Sequence, residues 1–176
     1  MAQARVVFLR VGDPPPGRSW QPPSWAPSDP EDLPQPQWGH EGPAPAWQIR
    51  IAGGGFGTAE RNRVWTRDTV SLVDDETLTP FVRTALASDL ASPLANGSDD
   101  GIHYINGDYT LALGRYPISD WIGLEVSQHI AATGIALGAC TLYDLDGPFA
   151  TSTTTALANP PLSNPPLSNP SRRDNR

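Results

Sequence analysis

The stretch Thr79 to Pro93, TPFVRTALASDLASP, constrains this chain most, because it is one helical pattern set among segments that alternate like strands. Thr79 is placed to cap the first turn with its hydroxyl, and Pro80 fills the first helical position with its φ already set. Val82, Leu86 and Leu90 recur at helical spacing among Ala85, Ala87 and Ala91, which predicts an apolar face that a sheet wraps closely. Pro93 lacks a backbone donor and is expected to end the helix. Asp89, between Ser88 and Ser92, is the only charge from Thr84 to Leu94. It belongs either to a solvated polar face shared with the two serines or to a site that holds a carboxylate by hydrogen bonds.

The segments around the helix read as strands. Trp47 to Ala52 alternates, and Arg63 to Val73 continues the pattern after a glycine-rich connection. Beyond the helix, Asn96 to Gly101 is a turn-rich loop. In Ile102 to Leu113, strict alternation puts His103, Ile105, Tyr109, Leu111 and Leu113 on one face, with Asn106 and Asp108 together on the other. Trp121 to Ile130 sets Ile122, Leu124, Val126 and Ile130 against Glu125, Ser127 and His129. Ile135 to Tyr143 and the Thr-rich Phe149 to Leu157 follow, with hairpin signals at Ala132-Thr133-Gly134 and Asp146-Gly147. Two strands, one long helix and a four-stranded antiparallel meander give an α+β domain over residues 46–158.

The 20 prolines cluster and mark the boundaries of that domain. Residues 13–45 carry eleven of them and read as a semi-rigid linker. A solvated linker rarely keeps Trp20, Trp25 and Trp38, so parts of it are expected to lie on a domain surface; a PxxP-type ligand is the alternative reading. Ahead of the linker, Ala4 to Val11 is a strand without a local partner, which makes sense as the last strand of a preceding domain. Residues 159–176, with NPPLS twice in tandem, read as a disordered tail.

Net charge is −7, which gives no global electrostatic case for nucleic acid or an anionic membrane. No apolar run is long enough to span a bilayer, and the N-terminal stretch lacks the regions of a secretory signal, so a cytoplasmic location is the default expectation. The single cysteine, Cys140, lies in an apolar strand pattern and is expected to be a buried small hydrophobe. His40, His103 and His129 share no metal spacing, and no Gly-x-Ser-x-Gly elbow occurs. Gly53-Gly54-Gly55-Phe56-Gly57 is followed by a strand pattern, so it reads as a strand connection in place of a phosphate loop. Arg61, Arg63 and Arg67 make this region locally positive; they are solvated strand charges or substrate-binding contacts to the phosphates of a carrier molecule.

ALASDLAS, YINGDYTLALGR, PISDWIGLEVSQ and TLYDLDGPFATSTTTAL, in that order, resemble the C-terminal half of the type II, double-hotdog acyl-CoA thioesterase family. The likeness runs from about Ala46 to Leu157. It implies a hotdog fold, hydrolysis of acyl-CoA thioesters by an oriented water, and no cofactor beyond the CoA of the substrate. It also makes residues 1–12 the end of a first repeat and residues 13–45 the inter-repeat linker. The family's catalytic carboxylate falls on Asp89, its strand hydroxyl or amide on Asn106, and its glutamine near Thr154, where this chain departs by carrying a threonine. Ser92 and Asp108 stand beside these positions as substrate-binding candidates. A single hotdog leaves sheet edges open, so a homodimer or higher homo-oligomer is expected. Without the glutamine, a non-catalytic acyl-CoA-binding hotdog, or an inactive fragment of a double-hotdog enzyme, stands as the alternative.

Overall fold

The computed structural model describes residues 3–13, 15–36 and 46–159; the expectations for Trp38, His40 and residues 160–176 lie outside the described residues. Six strands form one antiparallel sheet in the order β1-β2-β4-β5-β6-β3. They are β1 (Trp47–Gly53), β2 (Arg63–Asp68), β3 (Tyr104–Leu113), β4 (Ile122–Ala132), β5 (Ile135–Asp144) and β6 (Gly147–Ala158). β2 is shorter than its sequence pattern, because its ladder with β1 runs out at the pair Trp47 and Asp68, leaving Val70, Leu72 and Val73 exposed. The β4–β5 hairpin turns on Thr133 (φ 52°) and Gly134 (φ 81°), the paired left-handed residues of a tight two-residue turn.

One bent helix packs on this sheet as α1 (Pro80–Asp89) and α2 (Ala91–Ala95). Thr79 caps α1, its hydroxyl accepting from the Val82 N–H at 3.2 Å. Pro93 does not end the helix. It sits in the first turn of α2, where a missing N–H is tolerated, and the N–H it fails to offer Asp89 breaks the helix at Leu90 instead.

The face turned to the sheet also differs from the Val82-Leu86-Leu90 stripe. Thr84, Ala87, Ser88, Ala91, Ser92, Leu94 and Ala95 are buried, while Leu86 is exposed. Small side chains let the helix approach the sheet closely, and burying a compact polar group is acceptable once it is hydrogen-bonded. Thr84 Oγ1 donates to the Pro80 carbonyl and Ser88 Oγ to that of Ala85, both at 2.7 Å. Ser152 Oγ, from β6, donates to the Ser88 carbonyl at 3.3 Å. Thr84, Ser88, Ser92 and Asn96 thus form a buried polar seam at every fourth residue.

Beneath the helix lies a core of Val64, Leu94, Ile122, Leu124, Cys140, Leu142 and Phe149. Cys140 is fully buried, as its strand pattern predicted; burial first, and then the Glu125 charge, push its thiol up to about 12. Gly54 (φ 59°) belongs to the connection from β1 to β2. That connection is tied to α2 by Asn62, which accepts from the Gly55 N–H and donates to the Leu94 carbonyl, both at 2.8 Å.

Two bulges reset the alternation of the long strands. Asn106 pairs with Ala156 and Asp108 with Thr155, leaving Gly107 as the extra residue of β3. Val126 pairs with Cys140 and Gln128 with Ala139, leaving Ser127 as the extra residue of β4. On both strands the residues beyond the bulge point to the face opposite to the one that strict alternation from the residues before it gives.

The outer face of the sheet, away from the helix, carries a second cluster of Trp65, Trp121 and Tyr143, against which Trp25 and Leu33 pack. Trp25 lies 5.6 Å from the Trp65 ring and meets Tyr143 edge-on at 5.3 Å. A short 3-10 turn, Pro30–Asp32, brings Glu31 to accept from Trp121 Nε1 at 2.9 Å. Part of the Pro-rich stretch therefore lies on the sheet, whereas Trp20 is exposed.

Candidate active site

Asp89 ends α1 with its side chain on the exposed side of the helix. The Gly107 bulge turns Asn106 inward beneath it, and Asn106 Nδ2 donates to Asp89 Oδ1 at 3.3 Å. The expectation that Asn106 and Asp108 share a face is corrected by the same bulge. Asp108 faces outward, its Oδ1 accepting from the Thr155 N–H at 2.9 Å. Tyr109, past the bulge, returns to the helix side.

Beside this pair an open apolar groove of about 350 Å³ runs between α1 and β3, lined by Leu72, Phe81, Val82, Ala85, Leu86 and Tyr109, with Asp89 among its walls. These lining residues were absent from the sequence-derived candidates. Their signal is the apolar stripe Phe81, Val82, Ala85 and Leu86, offset around the helix from the small-residue face.

Thr154 is buried on the same side of the sheet but points to α2, accepting from Asn96 Nδ2 at 3.3 Å. The amide of Asn96 also reaches Ser92 Oγ at 3.5 Å, and its Oδ1 lies 3.0 Å from His129 Nδ1. The Ser127 bulge turns His129 to the helix side, away from the face it would share with Glu125 under strict alternation. Tyr104 meets the His129 ring edge-on at 6.3 Å. Ser92 is thus buried in the polar seam. Sequence reasoning missed Asn96, although its place at the end of the Thr84-Ser88-Ser92 spacing marks it.

The three arginines lie on the outer face, on the far side of the sheet from Asp89. Arg63 Nη2 pairs with the buried Glu125 at 2.9 Å and Arg61 Nε with the same oxygen at 3.5 Å. The Tyr143 hydroxyl donates to the other Glu125 oxygen at 2.9 Å, and burial is the main cause that pushes that phenol up. Arg67 pairs with Glu31 at 2.9 Å and lies over the Trp121 ring at 4.4 Å. The structure therefore joins Asp89 to Asn106 and Ser92 to Thr154 through Asn96. It sets Arg61, Arg63, Arg67 and Asp108 apart from both. Among the described residues, no group of three or more His, Cys, Asp or Glu side chains could hold a metal ion, and no helix is long and apolar enough to cross a membrane.

An open groove of apolar walls with a carboxylate and an amide in contact can seat an alkyl chain and orient a water beside it. The fold is shared with solved structures. The acyl-CoA thioesterase II TesB2 of Mycobacterium marinum matches with a TM-score of 0.53 at 24% identity, over 82% of this chain and 58% of that one. A protein with a hot dog fold from Alicyclobacillus acidocaldarius matches with a TM-score of 0.56 at 17% identity, over 82% and 59%. The tesB protein of Mycobacterium avium subs paratuberculosis matches with a TM-score of 0.50 at 18% identity, over 69% and 53%. This chain spans a little over half the length of these three. No curated protein matches its sequence. The model of the family described as acyl-CoA thioesterase C-terminal domain matches residues 21–158, and to that family this chain belongs.

Proposed function

We propose that this chain binds acyl-CoA thioesters and hydrolyses them to the free acid and CoA, with Asp89 and Asn106 holding the water. The observation that carries this reading is the 3.3 Å contact between Asn106 Nδ2 and Asp89 Oδ1 at the wall of the apolar groove. The groove takes the acyl chain and brings the thioester carbonyl to the pair. Asn106 steers one carboxylate oxygen, and the other accepts a proton from the water as its oxygen attacks the carbonyl carbon. The tetrahedral intermediate then expels the thiolate as the C–S bond breaks, and the thiolate takes up the proton that Asp89 received. The step uses water, a carboxylate and an amide, with CoA entering only as part of the substrate.

The groove is open along the β3 edge, and we assign its closure to a second hotdog unit, supplied by another copy in a homo-oligomer. A cytoplasmic site of action belongs to the same reading.

One observation favours a binding module without hydrolysis. Thr154, at the position near which the resemblance puts a glutamine, is engaged by Asn96 beneath α2. Steady-state hydrolysis of short, medium and long acyl-CoAs by the full chain separates the readings. The thioesterase reading expects Asp89→Ala to lower kcat by about 100-fold or more, with acyl-CoA binding and far-UV circular dichroism unchanged. Equal turnover in Asp89→Ala overturns it. Binding without turnover in the parent chain replaces it with the binding module.

A further inference from the structure

The chain holds two Asn-Gly dipeptides, Asn96-Gly97 and Asn106-Gly107. Glycine after asparagine leaves the side-chain amide most open to attack by the next backbone nitrogen, because no Cβ crowds that nitrogen and the backbone turns freely. The fold treats the two dipeptides in opposite ways.

Asn96 is held. It is 3% exposed, at the end of α2. Its Nδ2 reaches Thr154 Oγ1 at 3.3 Å and Ser92 Oγ at 3.5 Å, and its Oδ1 lies 3.0 Å from His129 Nδ1. Gly97 is packed so closely that a Cβ there would stand 2.6 Å from the Pro93 carbonyl oxygen. To bring its amide carbon to the Gly97 nitrogen, Asn96 must leave all three partners and open the end of the helix.

Asn106 is held far less. Asn106, Gly107 and Asp108 are all exposed. The bond from Asn106 Nδ2 to Asp89 is 3.3 Å long and open to solvent. β3 is an edge strand, paired with β6 alone, and Gly107 falls outside the register of that pairing. Across from the bulge, the Thr155 N–H is bonded to the Asp108 carboxylate at 2.9 Å. Opening here disturbs one interrupted ladder and no buried side chain.

We propose that Asn106-Gly107 is a site of spontaneous deamidation, which converts the amide of the candidate pair into a carboxylate. The Gly107 nitrogen bonds to the side-chain carbonyl carbon of Asn106, and the bond from that carbon to Nδ2 breaks. Nδ2 leaves as ammonia, taking the proton that the Gly107 nitrogen gives up. Water then opens the cyclic imide. Addition at the side-chain carbon leaves aspartate. Addition at the backbone carbon leaves isoaspartate, which lengthens the backbone of the bulge by one carbon. Either product loses the N–H donor that meets Asp89 and sets a second negative charge beside it. The modification stands independently of the thioesterase reading; its effect on turnover rests on that reading.

Peptide mass mapping of the full chain, during storage in warm and mildly alkaline buffer, tests it. Both asparagines lie between Arg83 and Arg115, and cleavage after Tyr104 separates them. Asn106 is expected to gain one mass unit about 10-fold or more faster than Asn96 in the folded chain. The two rates are expected to converge in urea, where neither side chain is held. Gly107→Ala is expected to slow conversion at Asn106 by about 10-fold or more. The nearest atom to its Cβ is the Thr155 carbonyl oxygen, at an ordinary 3.8 Å, so the strand keeps its place. Turnover of the stored chain is expected to fall in step with the unconverted fraction of Asn106, and a fresh Asn106→Asp chain to show the same loss. Conversion at Asn106 no faster than at Asn96 in the folded chain overturns the proposal, as does an unchanged rate in Gly107→Ala. Full conversion with undiminished turnover leaves the modification site standing and overturns the role of Asn106 in hydrolysis, so the two failures are told apart.

Discussion

Gly138 lies on β5 directly under α2, where a Cβ would stand 2.7 Å from the Ala95 Cβ and 2.9 Å from Asn96 Oδ1. Gly138→Ala is therefore expected to destabilise the chain by about 1–3 kcal/mol through overpacking, read from urea unfolding, and to loosen the hold of Asn96 on Thr154 and His129. Asp144 is the other residue whose surroundings decide its behaviour. Burial alone would raise its carboxyl, but Arg115 donates to both its oxygens at 2.6 and 2.8 Å, and the Ile118 and Asp146 N–H groups add two more bonds. Together they hold it below the ordinary aspartate value of 3.8. A folded value below the unfolded one gives a contribution that is complete above the unfolded value and lost as pH falls through the folded one. Arg115→Met is expected to cost about 3 kcal/mol at neutral pH, by leaving a buried carboxylate with two backbone N–H bonds but no counter-charge. The cost shrinks in unfolding measured at acid pH, as the buried carboxyl that has lost its partner takes up a proton.

At the scale of elements, the strand bulge at Gly107 brings the candidate pair together. Deleting Gly107 restores simple alternation on β3 and turns Asn106 to the outer face. That deletion is expected to lower thioester hydrolysis as far as Asn106→Ala does, while binding of the acyl chain along Phe81 and Leu86 persists; equal turnover in the deletion and the parent chain would count against a role for Asn106. The strands, the helix with its Thr79 cap and both hairpins were legible in the sequence, because each is written in local spacing and turn chemistry; the four-stranded meander was not, since β3 pairs with β6 at the far edge of the sheet and only β4, β5 and β6 follow one another. The inward placement of Asn106 and His129 was not, because a bulge is an extra residue opposite a partner strand and leaves no mark in one strand alone. The buried helix face was misplaced for a related reason. Leu and Val dominate a reading by hydropathy, whereas this interface selects for small size, so Thr84, Ser88, Ser92 and Asn96 went inside. The outer-face role of Glu125 in gathering Arg61, Arg63 and Tyr143 is likewise a cross-strand fact, set by the β2–β4 and β4–β5 registers.

For the whole molecule, the sheet has two dressed sides, one under the helix and one under the segment around Trp25. Trp25→Ala is expected to cost about 2 kcal/mol, roughly half the value for a fully buried aromatic, because Trp25 is only half-buried yet covers Trp65 and Tyr143. The loss would show as a lower melting temperature and a change in tryptophan fluorescence. The two bulges have a consequence that reaches across the chain. On β3 the inward residues are even-numbered up to Asn106 and odd-numbered from Tyr109 onward; on β4 they are even-numbered through Val126 and odd-numbered at His129. A saturation scan of substitutions would therefore record a change of parity, with tolerance to charged residues switching from odd to even positions as it passes 107 and again as it passes 127.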